Sequence, residues 1–492
     1  MTGVQTCALP IFELGKMYQP GPNNYLFLDP VVVGTLNSYD NSGTINFSIP
    51  AGTATDYYVL RISSTQPPVI GTYSQGFTIN APQCHSLATD RFRTKISGDW
   101  SSPSTWQSSS DNGNTWIDAT LAPDDFSNQV EIADGHTIDI SSMVSSNKTT
   151  VKGTLRIRNG NGNNGSFRLS NHVFGMPFLK IEKTGVLQFI ANDGTMNDVL
   201  SQTGFITVAG KVIVGDGSTA VSAGFDGFAK GDYSVFWQNG SVFEWNSESG
   251  IAPSGDGIYF PDVFSVPTLK LTAIPSNAFG TENSLLVNGL LEVNNTISLT
   301  GTGSKTFRDG ILGSGILTQD VSSGKIIVNS GYADFPAGNT TNATAQGIIS
   351  GTVAIHLNAE GMQLDGGVTV PGNSSPVIDG KCIALQTVHI APNAQLALLS
   401  DTLTLQDADL TNDGTISGSG IIQFMGSNVS LLSSAGQTLS EVLLTHKQLQ
   451  LAGDSHLKNT SLSQESNLVL SQYNLFLDDA SLIADSVNFI VT

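Results

Sequence analysis

The chain has little with which to staple, charge or anchor itself. Its 492 residues include three cysteines, Cys7, Cys84 and Cys382, which lie far apart with no CxxC and no histidine pair at ligand spacing. A disulfide framework and a structural zinc site are both unsupported, so stability has to come from packing. Charged residues are only 13% of the chain, and they are lopsided: 21 Lys and Arg against 41 Asp and Glu, a formal charge of −20. Such a surface repels phosphate backbones and no basic stripe offsets it, which argues against nucleic acid as a partner. No apolar run approaches the ~18 residues of a membrane helix, so no membrane span is expected. GxSxG, HExxH and Walker sequences are missing. The glycine-rich NGNGNNG (159–165) has neither the strand–helix context nor the Lys-Ser/Thr of a phosphate loop, and reads as an insertion.

What remains is 39% hydrophobic residues and 52 glycines, with Ser, Thr, Asn and Gly filling most positions between short apolar runs. That is too apolar for a disordered chain and long for a single ordinary domain. From about residue 150 one theme recurs: a polar Gly/Asn turn, then a short alternating strand. GTLRIRN (153–159), GVLQFIA (185–191), GKVIVGDG (210–217), GLLEVNNTISLTG (289–301), GTVAIHLN (351–358), KQLQLAG (447–453) and SNLVLSQYNLFLDD (466–479) are examples. Leu155/Ile157, Leu291/Val293, Ile297/Leu299, Leu449/Leu451 and Leu475/Leu477 each keep one inward face, the period-two signature of a strand. Strands this short cannot bury a core alone, but stacked coils of about 20–30 residues can. The expected architecture over 97–492 is a parallel, right-handed β-helix-like solenoid; a series of small antiparallel sandwiches is the alternative.

Residues 12–82 carry a different alternation. TINFSIP (44–50) points Ile45, Phe47 and Ile49 inward, DYYVLRIS (56–63) does so with Tyr58, Leu60 and Ile62, and GFTIN (76–80) closes the set. The segment TINFSIPAGTATDYYVLRISSTQPPVIGTYSQGFTIN resembles the last strands of Ig-like modules in large bacterial surface proteins. The resemblance implies a truncated Ig-like β-sandwich, in which Tyr58 is either a tyrosine-corner residue or a plain core aromatic. Residues 83–96 read as a linker. The opening MTGVQTCALPI (1–11) resembles the translation of a common sequencing-adapter oligonucleotide, which implies that these residues are foreign to the gene. The chain stops at VNFIVT (487–492) inside a strand pattern, so its C-terminus is expected to be cut.

The densest local constellation is SGDWSSPSTWQSSSDNGNTWIDATLAPDDFSNQVEIADGHTIDI (97–140), with Trp100, Trp106 and Trp116 among only five tryptophans in the chain. Ser109, Asp111, Gly113, Thr115 and Trp116 spell SxDxGxTW, which resembles the Asp-box hairpin of sialidases and related β-propellers, a structural turn in those families. Its physics is an Asp carboxylate accepting backbone N–H groups, a Gly supplying positive φ and a Trp packing beneath. The wider pattern resembles G8-like β-helix modules of exported bacterial proteins. Val130, Ile132, Ile138 and Ile140 alternate around an Asp134-Gly135 turn, either a hairpin or a coil corner. His136 has no second ligand at metal spacing and reads as a turn or packing histidine. Neither a catalytic residue nor a metal ligand is assigned.

FEWNSESGIAPSGDGIYFPDV (243–263) breaks the rhythm with Phe243, Trp245, Tyr259 and Phe260. Trp245, Tyr259 and Phe260 are candidate ligand-binding residues for a sugar, unless the stretch is a lateral loop packed on the solenoid. For a polysaccharide lyase or hydrolase the best candidates are Asp365, Asp379 and Lys381, and the pair Asp407/Asp409 on one strand face. The resemblances together point to very large exported proteins of Bacteroidota-type bacteria that use type IX secretion. They imply a secreted or outer-membrane-surface, adhesin-like stalk, with extracellular glycans or other surface proteins as partners. No cofactor is expected, surface calcium aside.

Overall fold

The computed structural model describes residues 10–21, 24–35, 56–65 and 68–79, and then 85–490 except 161–162, 171–177, 192–199, 202–204, 218–219, 222–233, 248, 251–262, 265, 274–277, 281–283, 329–346 and short stretches beyond 435. The chain is all-β; among the described residues the helical structure is a single 3₁₀ turn, Pro103–Thr105. It divides into two compact units, 1–84 and 85–492.

The first unit is an antiparallel sheet. Strand Pro10–Gly21 lies between Asn24–Thr35 and Asp56–Thr65, whose other edge takes Pro68–Tyr73 and Phe77–Ile79. A second packed sheet is not found among its described residues, and TINFSIP (44–50) lies outside them. Tyr58 packs with Leu14 in a small buried cluster flanked by Leu60 and Phe77. The expected alternation fails on both sides of Leu60: Val59 before it is buried, and Ile62 after it is exposed. A register shift between Arg61 and Ser63 against the next strand rotates the chain there. Pro10 and Ile11, expected to be foreign, pair with Ser64 and Ser63.

The second unit is a parallel β-helix-like solenoid. Coils contribute short strands to three faces. The second face is a ladder of sixteen parallel strands from Thr137–Ile140 to Asn488–Ile490. The first face carries Gln129–Ile132 through Ser234–Trp237 and then Val263–Phe264 through Ile483–Ala484; the third is built from shorter sheets. Register explains why the sequence period is irregular. Leu290 lies beside Gly310 and Val368 beside Val388, both short coils, whereas Thr154 lies beside Val186 across a much longer one. The strands stay in step because loops between faces absorb the extra residues.

Inward positions form columns. Ile138, Leu155, Leu187, Val212, Phe243 and Leu269 follow one another on adjacent coils, and Ile140, Ile157, Phe189, Val214, Trp245 and Leu271 make the next column. All are at most 2% exposed and belong to one continuous core. Each coil therefore uses its neighbours to exclude water from its apolar side, the reason such a short strand is stable here. Leu155/Ile157, Leu291/Val293, Ile297/Leu299 and Leu449/Leu451 are buried as their alternation requires. Leu477 is not: it is 40% exposed in the late third-face strand Leu475–Asp478.

The solenoid starts earlier than composition suggested. Arg91–Thr94, inside the stretch read as a linker, is a strand parallel to Gln129–Ile132 and antiparallel to Trp106–Ser109. Its own alternation is very short, and its parallel partner lies far along the chain, with Arg91 level with Gln129. The four-residue alternation RFRT is its one local sign. Together with Gly98–Asp99, paired to the second face, it begins the first coil. Trp100 and Trp106, 1% and 0% exposed, fill the lumen at this end.

Candidate functional site

Trp245, the one described residue of the candidate sugar-binding set, is not available to a ligand. Trp245 is 0% exposed and Phe243 2%, since both occupy inward columns of the second face. A ring enclosed by the coils before and after it cannot stack on a ligand, so Trp245 is a core residue. Tyr259 and Phe260 lie outside the described residues.

The proposed hydrolytic groups are likewise dispersed. Asp379 ends a third-face strand, Val377–Asp379, while Asp365 and Lys381 flank first-face strands Met362–Leu364 and Cys382–Ala384. Met362 lies beside Cys382 and Leu364 beside Ala384. Lys381 is thus level with residue 361, and its backbone is roughly 13 Å along the strand direction from Asp365. Asp379 is already engaged: it accepts from the Ser400 hydroxyl and lies 3.1 Å from His356 Nδ1. The Ser400 and His356 contacts hold its carboxyl below the usual carboxylate range. The serine contacts the carboxylate and not the imidazole, so the trio lacks the order of a nucleophilic triad.

Asp407 and Asp409 do not share a strand. They sit at a corner after Thr402–Gln406, with Asp407 at φ +52°. Asp407 accepts the Asn428 N–H and Asp409 the Leu431 N–H, each at 2.7 Å. Both carboxylates therefore tie one coil to the next. His136 contacts Thr94 Oγ1 at 2.8 Å through Nδ1, at the coil corner whose Asp134-Gly135 turn separates Gln129–Ile132 from Thr137–Ile140. Among the described residues no three His, Cys, Asp or Glu side chains gather as metal ligands.

The SxDxGxTW segment forms a compact clasp. It links strands Trp106–Ser109 and Ile117–Asp118, paired antiparallel. Asp111 Oδ1 accepts the Ser109 hydroxyl at 2.7 Å and the Thr115 N–H at 2.8 Å, and Oδ2 accepts the Thr115 hydroxyl at 2.7 Å. These donors, the Thr115 N–H foremost, pull the Asp111 carboxyl down to about 2. Asn112 and Gly113 take positive φ, +63° and +94°, which the turn requires. Trp116 Nε1 donates to the Gly113 carbonyl at 3.0 Å. Asp111 is consumed by the turn itself, so its role is structural.

Sequence reasoning missed what lies against this clasp. A depression of about 330 Å³ is lined by Arg91, Arg93, Asn112, Trp116, Gln129 and Glu131. The Arg93 guanidinium stands 4.2 Å from the Trp116 ring centroid, and Arg91 donates to the Asn112 carbonyl at 2.8 Å. The one available signal was RFRT (91–94), which places two cations on the face opposite Phe92.

No protein-family model, no curated protein and no solved structure matches the chain.

Proposed function

We infer that the chain is a non-enzymatic, adhesin-like stalk of a secreted or cell-surface protein, which holds binding surfaces for glycans or other surface proteins away from the cell. The observation that carries this reading is the unbroken second-face ladder of sixteen strands. At about 4.8 Å per strand it is a column roughly 70 Å long.

Outward charges reinforce the column. Lys270 lies 3.9 Å from Glu244 on the preceding coil and 3.4 Å from Glu292 on the following one. Asp139 receives Arg156 Nη2 at 3.0 Å and Arg158 Nε at 3.2 Å from the next coil. Polar side chains here are committed to stiffening a fibre-like element, which supports a mechanical role. A coil contacts only its neighbours, so load is borne coil by coil.

The test has two arms. Protease shaving of intact source cells should release peptides of this chain. Electron micrographs of the purified chain should contain a rod segment of the length that the strand spacing sets. A chain protected inside intact cells, or particles without a rod, would reject the stalk reading.

A further inference from the structure

We propose that the depression beside the Asp111 clasp binds an acidic sugar residue, a pyranose bearing a carboxylate or a sulfate. The proposal deepens the stalk reading, on which it rests for its setting, by naming the surface that the stalk displays.

The two guanidinium groups are placed by the fold. Arg91 and Arg93 alternate with buried Phe92 and Thr94 on one strand, so both project to the outer side of the first coil. Arg93 Nε donates to Gln107 Oε1 at 3.0 Å while its plane rests by Trp116. These contacts fix the side chain and leave its two terminal nitrogens without a protein acceptor among the described residues. Arg91 is held by the Asn112 carbonyl and by Gln129 Oε1, at 2.8 and 2.5 Å. A fork fixed in advance loses little freedom when it takes up a planar anion.

Charge points the same way. The chain carries 41 acidic residues against 21 basic ones, yet neither Arg91 nor Arg93 forms an ion pair among the described residues. The one carboxylate lining the depression, Glu131, is engaged by Lys152 at 2.9 Å. Two adjacent cations left unneutralised on an acidic molecule favour an anion locally. The −20 total disfavours a long polyanion, because each charge lying more than about 8–10 Å from the arginines meets the acidic surface. A ligand with one charge fits that balance.

The remaining lining suits a sugar. Gln129 offers an amide to ring hydroxyls, and the partly exposed Trp116 offers an apolar edge to C–H groups. The volume of about 330 Å³ lies at the small end of ligand clefts, enough for one or two rings.

The experiment titrates the full chain with four probes, read by tryptophan fluorescence and calorimetry. They are a disaccharide ending in glucuronic acid, the same disaccharide with the carboxyl reduced to a hydroxymethyl, its 6-sulfated form, and the tripeptide Gly-Glu-Gly. One or both acidic sugars should saturate, and which of them does identifies the acid group. The neutral sugar should bind about tenfold or more weaker, and the tripeptide should not saturate. Arg93→Gln should cost about tenfold or more, and Arg93→Lys less, with an unchanged circular dichroism spectrum. Equal binding of the neutral sugar, binding of the tripeptide alone, or no binding at all would overturn the proposal. A rod of the expected length that ignores acidic sugars would reject only this site. A chain absent from the cell surface would reject the stalk reading and leave the binding result standing.

Discussion

Trp106 Nε1 donates to the Trp100 carbonyl at 2.8 Å, and the two indoles meet edge to face with centroids 5.1 Å apart. Trp100 in turn donates through Nε1 to the Pro123 carbonyl at 2.9 Å and meets Phe167 edge to face. This pair fills the core within the first coil of the solenoid. Capping elements of this kind are what a stack of identical coils needs at its ends.

Trp106→Ala should therefore act locally. The lost packing is on the order of 3–5 kcal/mol. It should appear in hydrogen exchange as faster exchange of the strands at 91–94, 129–132 and 148–151. Strands at 388–390 and 410–412 should keep their protection, because coils couple mainly to nearest neighbours. A uniform loss along the chain would show that Trp106 is not an end cap.

Glycines at coil corners differ in what they tolerate. Gly313 has φ +137°, and a Cβ there would stand 1.8 Å from the Val293 carbonyl oxygen of the coil beneath. Gly135 has φ +74° with nothing within 4 Å. Gly313→Ala should cost on the order of 3 kcal/mol or more, since backbone strain adds to a collision with a ladder strand. Gly135→Ala should cost only about 1–2 kcal/mol, the strain alone. Denaturant midpoints of the two variants check the order, and equal losses would mean that the close approach does not matter.

The Asp111 clasp makes a pH prediction. Its carboxyl sits at about 2 in the folded chain against an ordinary value of 3.8. A depressed folded value means that the ionised form is favoured by folding. The stabilisation is complete above about pH 4 and is lost as pH falls from there through 2. The side-chain carbon shift of Asp111 should titrate with a midpoint near 2, and Asp111→Asn should remove that titration. A midpoint at the ordinary value would refute the clasp.

Cys382 lies in the first-face strand Cys382–Ala384, 0% exposed, and burial pushes its thiol up to about 12. The thiolate is the reactive form, so both access and ionisation protect it. Peptide-resolved labelling with iodoacetamide at pH 8 should leave Cys382 unmodified in the native chain and modify it fully in denaturant. Rapid native labelling would mean that the core opens at that coil.

The alternation of short apolar segments was by itself enough to determine an all-β chain, and it favoured stacked coils over small antiparallel sandwiches without excluding them. An inward-facing pair such as Leu291 and Val293 has to leave water, and the parallel register with the coils on either side is what covers it here. The SxDxGxTW turn was legible too, because its donors and acceptor are close neighbours in the chain. What lay beyond local pattern was which side of a coil a residue faces and what the next coil brings beside it. Trp245 read as a candidate sugar contact because aromatic density says nothing about direction, and the ladder register turned it inward. Asp365, Asp379 and Lys381 are close in sequence but sit on separate faces or at opposite ends of one. Arg91 and Arg93 acquired a setting only when a strand begun in an apparent linker met Gln129 and the hairpin carrying Trp116. Those contacts join residues well separated along the chain, and local sequence carries no record of the loop lengths that bring them level.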